Sequence, residues 1–330
     1  RKKIAEFFGL DKSDNVIFTH NCTTALNTAI KGIAHKDSHF VISDMEHNAV
    51  LRPLQSLKNQ GISDFSIAKI CDDMCHTVKN FENCIQKNTV AIVCTAASNV
   101  FGVITPYKFL SELAHRHKIL FILDASQVAG VIPVNVTEDN IDILCCSGHK
   151  GLLGPTGVGM MLVNCNERIM TFIEGGTGTD SLNPLQPEFY PDRFESGTPN
   201  ICGIIGLSSA VDFINDRGLK EIYAHEIRLI KYLYNNLRYN NKIQFYTAPD
   251  SASKKYAPIL SFNIKNIASE ETARFLSENN IAVRAGLHCA PLAHNKFRTL
   301  KTGTVRISPS VFTEKNEIEI LINCIRKIAK

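Results

Sequence analysis

The sequence contains no long hydrophobic run and no excess of charge of one sign. No apolar stretch approaches the roughly 18 residues that a membrane-spanning helix needs. Basic residues number 36 and acidic residues 32, which gives a net charge of +4 without long basic runs. We therefore expect neither a membrane nor a nucleic acid as a partner. No signal peptide is visible, and a start at Arg1 rather than Met is expected if an N-terminal segment is missing or processed.

The eleven cysteines are scattered through 330 residues, and several lie inside apolar runs. Small secreted proteins use many cysteines for disulfides, but a chain of this length does not need them. We therefore predict reduced thiols and a cytoplasmic location. Cys71 and Cys75 lie four residues apart, but no second Cys/His pair at zinc spacing follows them. No metal site is expected.

Short apolar runs alternate with amphipathic stretches over the first two-thirds of the chain. Helices are predicted at 24–34 and 107–117 from their hydrophobic periodicity. Continuous apolar runs predict buried strands at 16–19, 40–43, 90–94, 119–123, 141–144 and 157–163. Buried strands separated by helices are typical of a mostly parallel sheet that is covered on both faces.

The last third of the chain has a different character. A long amphipathic stretch at 205–240 marks the predicted domain junction. Beyond it, strands are predicted at 257–264, 281–284 and 304–308, and helices at 269–279 and 313–329. We therefore predict a large domain over residues 1–210 and a small α+β domain over residues 211–330.

Polar side chains follow the predicted strands at the points where the strands end. Thr23 and Thr24 open a helix after the first strand, where a phosphate could bind or a simple N-cap could form. His47, Asp124 and Lys150 follow later strands. Taken singly, each is an ordinary loop residue. Because ligands bind at the carboxyl ends of strands in open α/β sheets, their joint occurrence indicates a site.

This set of residues matches the needs of pyridoxal 5′-phosphate (PLP). The phosphate needs backbone N–H groups and hydroxyls. The pyridine nitrogen needs a carboxylate, and the aldehyde needs a lysine amine with which it forms a covalent bond. A histidine can stack on the ring. The run Ser147-Gly148-His149-Lys150 would supply the lysine.

These motifs make the chain similar to the class V aminotransferase superfamily, and most similar to its group II cysteine desulfurase and selenocysteine lyase branch. The resemblance is collinear over nearly all of the chain. It implies the fold type I of PLP-dependent transferases, with a mostly parallel seven-stranded sheet in the large domain. The matching segments lie at 21–27, 45–48, 98–102, 124–127, 147–157, 194–200, 283–289 and 305–308.

The resemblance also implies a role for each matching residue. Lys150 would hold PLP, His47 would stack on its ring, and Asp124 would pair with the pyridine nitrogen. Asn99, Arg284 and Arg306 would bind the carboxylate of the substrate. The remaining cofactor-binding residues would be Thr23, Thr24, Gln127, Ser147, His149 and Thr198. Thr198 would reach the phosphate of a partner subunit, which implies a homodimer.

Cys289 matches the nucleophilic cysteine of this branch, which takes sulfur from the substrate as a persulfide. Arg284 and His288 are expected to supply positive charge that favours its thiolate. Leu287 stands where the branch usually has a second histidine, and the stretch 290–294 also differs from the usual pattern. These differences leave the exact substrate and sulfur acceptor open. The N-terminal arm usual in the family is also absent from this sequence.

The main prediction is therefore a PLP-dependent cysteine desulfurase that converts L-cysteine to L-alanine, with a protein as a possible sulfur acceptor. The alternatives are a selenocysteine lyase or another class V C–S lyase, epimerase or aminotransferase, which would not need Cys289 as a nucleophile. A non-catalytic scaffold is a third alternative, although the presence of Lys150, Asp124, His47 and Arg306 argues against it.

Overall fold

The computed structural model describes residues 1–251 and 255–329, and the chain forms two compact units. The larger unit comprises residues 1–96 and 105–217, and the smaller unit comprises residues 97–104 and 218–330. The segment 97–104 therefore belongs to the smaller unit, although it lies between two parts of the larger one. None of the helices within 1–251 and 255–329 combines the length and the apolar composition needed to cross a membrane.

The larger unit is built around a seven-stranded sheet within the described part of the chain. Its strands are β1 Val16–Thr19, β2 Ser38–Ser43, β3 Ser63–Ala68, β4 Thr89–Thr95, β5 Leu120–Asp124, β6 Ile143–Ser147 and β7 Gly159–Val163. Its helices are α1 Lys2–Phe8, α2 Cys22–Ile33, α3 Asn48–Asn59, α4 Met74–Cys84, α5 Tyr107–Arg116 and α6 Ile201–Arg217.

The order of the strands in this sheet is β1-β7-β6-β5-β4-β2-β3. Strands β3, β2, β4, β5 and β6 are parallel, whereas β7 is antiparallel to both of its neighbours. Because β1 is antiparallel to β7, it runs in the same direction as β6. The carboxyl ends of all strands except β7 therefore lie at one edge, as the predicted mostly parallel sheet requires.

Burial explains which strands the sequence predicts. Every residue of β2, β5, β6 and β7 is buried, and apolar and small residues make up these strands apart from His39 in β2 and Asp124 at the end of β5. Strand β3 was not predicted. It lies at the edge of the sheet, and four of its six residues are partly or fully exposed, so its sequence is polar.

The smaller unit contains an antiparallel sheet with the order β10-β11-β9-β8. Its strands are β8 Ile243–Phe245, β9 Leu260–Ile264, β10 Arg284–Gly286 and β11 Thr304–Ile307. Its helices are α7 Leu219–Leu237, α8 Ser269–Glu278, α9 Pro291–Lys296 and α10 Lys315–Ile328. The segment 97–104 joins this unit through a β-bridge from Val103 to Tyr256 and a 2.6 Å hydrogen bond from Ser261 Oγ to the Val100 carbonyl.

The predicted amphipathic stretch at 205–240 forms two helices rather than one. Gly218, with φ of 84°, separates α6 from α7 in the left-handed region that favours glycine. The domain boundary predicted between residues 210 and 211 consequently falls inside α6, and the chain passes from the larger to the smaller unit after residue 217. The stretch reads as continuous in sequence because apolar residues recur at helical spacing in both α6 and α7.

Candidate active site

The amino end of α2 provides a place for an anion at the carboxyl edge of the large sheet. The Asn21 side chain caps the helix by accepting a 2.9 Å hydrogen bond from Thr24 N, and Thr23 is exposed. Gly159 on β7 lets this turn pack closely, because a Cβ atom there would lie 2.3 Å from the Asn21 carbonyl carbon. The backbone N–H groups of the first helical turn and the two threonine hydroxyls suit a phosphate.

Asp124 ends β5 and is only 5% exposed. Its Oδ1 atom accepts hydrogen bonds from Ser126 N at 3.0 Å and from Cys22 Sγ at 3.5 Å. The carboxylate is thereby held in one orientation. Gln127 lies in the turn that follows and is half-buried. The contact from Cys22 was not predicted, because nothing in the sequence relates the start of α2 to the end of β5.

His47 is the N-cap residue of α3, and its Nδ1 atom accepts a 3.0 Å hydrogen bond from Ala49 N. The neutral ring therefore carries its proton on Nε2. Glu46, directly before it, is fully buried. Its Oε1 atom accepts hydrogen bonds from Ser43 Oγ and from Thr95 N. Burial nevertheless raises the pKa of Glu46 to about 8. The sequence placed Glu46 in a motif but assigned it no role.

The Ser147–Lys150 run follows β6 without interruption. Ser147 is buried at the strand end, whereas His149 and Lys150 are exposed. Gly148 N donates to the Val158 carbonyl at 2.9 Å, which fixes the turn between the strand and the lysine. Burial and the charge of Lys150 lower the pKa of His149 below its usual value. His149 is thus a neutral imidazole beside the amine of the predicted cofactor lysine.

Thr198 is exposed in the segment that leads to α6. It lines a pocket of the larger unit together with Thr24, Phe18, Phe172 and Glu195. Thr24 and Thr198 therefore line the same concave surface within one subunit. This surface also contains the apolar side chains of Phe18 and Phe172.

The residues predicted to bind PLP in the larger unit fit that group. The α2 turn with its close-packed Gly159 suits the phosphate, and Asp124 is a buried, oriented carboxylate for the ring nitrogen. Lys150 is an exposed amine that follows the adjacent strand β6. Because these residues lie at the same edge of one sheet, their side chains can contact a single flat, anionic molecule.

The smaller unit contains an arginine pair. Arg284 on β10 and Arg306 on β11 are directly opposite in the antiparallel register. Arg306 NH1 donates to the Asn99 carbonyl at 2.9 Å, and its Nε atom is buried without a hydrogen-bond partner among the described residues. Burial, and then the charge of Arg284, lower the pKa of Arg306. Two opposed cations with unused donors suit a carboxylate.

The predicted nucleophile Cys289 is exposed, and the residue before it is buried. His288 Nε2 donates to the Arg284 carbonyl at 3.2 Å, and the His288 ring stacks on His294 with centroids 5.8 Å apart. Burial and the charge of Arg306 lower the pKa of His288 to about 4. The expectation that His288 supplies positive charge near Cys289 is therefore wrong, since this ring is neutral at physiological pH.

The comparisons with known proteins agree with this architecture. Residues 1–321 match the family profile described as Aminotransferase class-V. A probable cysteine desulfurase of Halalkalibacterium halodurans is 32% identical over an alignment 336 residues long, gaps included. The alignment covers 99% of this chain and 80% of that protein. A probable cysteine desulfurase of Methanothermobacter thermautotrophicus is 31% identical over an alignment 338 residues long, gaps included. The alignment covers 100% of this chain and 82% of that protein.

Solved structures of cysteine desulfurases have a similar fold. The apo structure of cysteine desulfurase from Thermococcus onnurineus NA1 is similar with a TM-score of 0.90 and 30% identity, covering 99% of this chain and 82% of that one. The fold of the cysteine desulfurase CsdA from Escherichia coli matches with a TM-score of 0.90 at 22% identity, over 99% of this chain and 82% of that one.

The sheet and the residues at its carboxyl edge define the architecture of fold type I PLP-dependent enzymes, which confirms the predicted fold class. The chain belongs to the class V aminotransferase family, whose members are PLP enzymes.

Proposed function

We propose that this protein is a PLP-dependent cysteine desulfurase that converts L-cysteine to L-alanine and leaves the sulfur on Cys289. The observation that carries the proposal is the exposed Cys289 thiol on a turn that is hydrogen-bonded to the Arg284 carbonyl and, through Asn99, connected to Arg306. A C–S lyase or aminotransferase without sulfur transfer would have no use for a thiol at this position.

The larger unit would hold the cofactor. Lys150 would bind its aldehyde, Asp124 its ring nitrogen, and Thr24 with the α2 turn its phosphate. The remaining predicted contacts would come from Thr23, His47, Gln127, Ser147 and His149, and from Thr198 of the partner subunit. PLP, when bound, supplies an electron sink for the bonds at the α-carbon of an amino acid. Lys150 Nζ, once released by the substrate amine, would take the proton from that carbon.

The smaller unit would hold the substrate carboxylate and supply the nucleophile. The free Nε donor of Arg306 and the guanidinium of Arg284 provide a planar, cationic match for a carboxylate. The Cys289 thiolate would attack the sulfur of the substrate. The new sulfur–sulfur bond replaces the carbon–sulfur bond, so that L-cysteine and the Cys289 thiol become L-alanine and a Cys289 persulfide.

The active form would be a homodimer. Large apolar side chains between residues 170 and 205 of the larger unit are exposed, including Phe172, Ile201 and Ile205 at 44%, 57% and 62%. Exposed large apolar side chains favour burial against another protein, and a second copy is the commonest partner. Thr198 lies within this segment. The free thiols of all eleven cysteines suit a reducing compartment such as the cytoplasm.

The proposal is tested by incubating the purified holoprotein with L-cysteine in the absence of reductant. We expect one alanine per persulfide in the first turnover, with the persulfide located on the Cys289 peptide by mass spectrometry. Cys289→Ser should keep the visible absorbance of bound PLP and form no alanine from L-cysteine. Cys71→Ser, which changes another exposed cysteine, is the matched control and should retain full activity.

Undiminished alanine formation by Cys289→Ser would reject the persulfide step and favour a direct C–S lyase. Parallel reactions with L-selenocysteine distinguish the nearest alternative. A selenocysteine lyase would turn over that substrate with and without Cys289 and would leave L-cysteine nearly untouched.

A further inference from the structure

Cys289 lies in a tight turn with an uncommon backbone. Ala290 N donates to the Leu287 carbonyl at 2.9 Å, so the turn is closed around two central residues. These residues, His288 and Cys289, have φ of 50° and 57°. Positive φ at both central positions is the pattern of type I′ turns, where glycine and asparagine are preferred because other side chains are strained. Neither preferred residue is present here, so other contacts must hold the turn.

One such contact is the side chain of Asn99. Its Nδ2 atom donates to the His288 carbonyl at 2.8 Å, and the side chain is buried. The Asn99 backbone is held in turn by Arg306, whose NH1 atom donates to the Asn99 carbonyl at 2.9 Å. The His288 ring also stacks on the His294 ring. The central peptide of the turn is therefore fixed, while the Cys289 side chain remains exposed.

We propose that Asn99 is a positioning residue for Cys289, in addition to any contact it makes with the substrate. Its amide holds the strained turn in the left-handed conformation that presents the thiol. The consequence for catalysis rests on the proposed desulfurase function, but the clamp itself does not. An amide nitrogen has two N–H groups, so Asn99 can donate to the His288 carbonyl and keep a second donor for a carboxylate.

The connection makes the carboxylate site and the nucleophile one assembly within the smaller unit. Arg306 contacts Asn99, and Asn99 contacts the turn that carries Cys289. A substrate carboxylate that engages Arg306 therefore meets a nucleophile whose backbone is already fixed. A residue that only bound the carboxylate would not affect the turn in the absence of substrate.

Hydrogen–deuterium exchange of the holoprotein without any amino acid tests this difference. Loss of one buried hydrogen bond should speed exchange of the Ala290 amide, which closes the turn, by about three- to tenfold. We expect this increase in Asn99→Ala and also in Asn99→Asp, which keeps the volume but cannot donate. Exchange in α10 should stay unchanged, which shows that the smaller unit remains folded.

Asn279→Ala is the matched control, because Asn279 Nδ2 makes a similar 2.8 Å bond to the Phe275 carbonyl at the end of α8. It should leave the Ala290 amide at the wild-type rate. Exchange of that amide within twofold of wild type in both Asn99 variants, with the smaller unit folded, would overturn the clamp.

Steady-state kinetics with L-cysteine then test the catalytic consequence. The clamp predicts that Asn99→Ala lowers kcat about tenfold even at saturating substrate, whereas a pure carboxylate ligand would raise KM and leave kcat intact. Faster exchange with unchanged kcat would overturn the link to catalysis. If the Ala290 amide exchanges faster in both Asn99 variants but the wild-type protein makes no alanine from L-cysteine, the proposed function is rejected and the clamp is retained.

Discussion

Replacing Glu46 with glutamine should make the stability of the protein less dependent on pH. Glu46 is fully buried between the end of β2 and the end of β4, and its pKa is raised from the ordinary value of 4.5 to about 8. Below pH 4.5 the carboxyl is protonated in both the folded and the unfolded chain. Between pH 4.5 and 8 the unfolded chain releases this proton while the folded chain keeps it. The free energy of unfolding therefore falls as pH rises through this range and levels off above it.

The size of the effect follows from the two pKa values. At about 1.4 kcal/mol per pH unit, Glu46 costs the folded state about 3 kcal/mol at pH 7 and about 5 kcal/mol above pH 8. Glutamine does not titrate, and its Oε1 can still accept from Ser43 and Thr95. Its amide nitrogen would occupy the place of Oε2, which is buried without a partner among the described residues, at a cost of about 1–3 kcal/mol.

Glu46→Gln should therefore be less stable than wild type near pH 5 and more stable near pH 9. Urea unfolding of the apoprotein at several pH values between 5 and 9 measures the difference, and other titrating groups cancel in the comparison. Glu221→Gln, the same substitution at an exposed position on α7, is the control for the change from glutamate to glutamine. A Glu46→Gln difference that stays constant over this pH range would refute the assignment of a protonated carboxyl.

Three further predictions concern the cofactor, the substrate and the partner subunit. Lys150→Ala should abolish the PLP adduct that borohydride reduction fixes on the protein, as read by peptide mass spectrometry; a label retained on another lysine would contradict the assignment. Arg306→Lys should raise KM for L-cysteine at least about tenfold, with PLP absorbance unchanged, because lysine lacks the planar donor pair; unaltered kinetics would place the carboxylate elsewhere. Ile205→Glu should give monomers in analytical ultracentrifugation, whereas Phe312→Glu, at another exposed apolar position, should not; dimers in both variants would exclude this surface.

Six of the seven strands of the large sheet could be predicted because most of their residues are buried. Parallel strands covered by helices are apolar throughout, and the helix α2 between β1 and β2 has clear periodicity. The edge strand β3 escaped prediction because half-exposed positions carry polar residues. Nor could local pattern assign the segment 97–104 to the smaller unit, since that depends on contacts with residues more than 150 positions away.

In the candidate site, too, local sequence pattern predicts some features and not others. The positions of Asp124 and Lys150 at the carboxyl edge of the sheet could be predicted because Asp124 ends one buried strand and Lys150 follows another. The protonation states could not, because they depend on tertiary burial. His288 is an ordinary loop histidine in sequence, and its burial beside Arg306 lowers its pKa to about 4. Glu46 is likewise an ordinary acidic residue until the ends of β2 and β4 enclose it.

The segment 97–104 has a consequence for the order of folding during synthesis. Phe101 is fully buried and stacks on Phe297 with ring centroids 3.9 Å apart, so a piece of the smaller core leaves the ribosome long before its partners. The larger unit can pack as its own residues emerge, but the smaller one must wait for the last third of the chain. A fragment beginning at Gly218 would lack Asn99 and Phe101, and would leave an apolar gap that favours aggregation. The smaller unit is therefore an inseparable part of the protein rather than a transferable module.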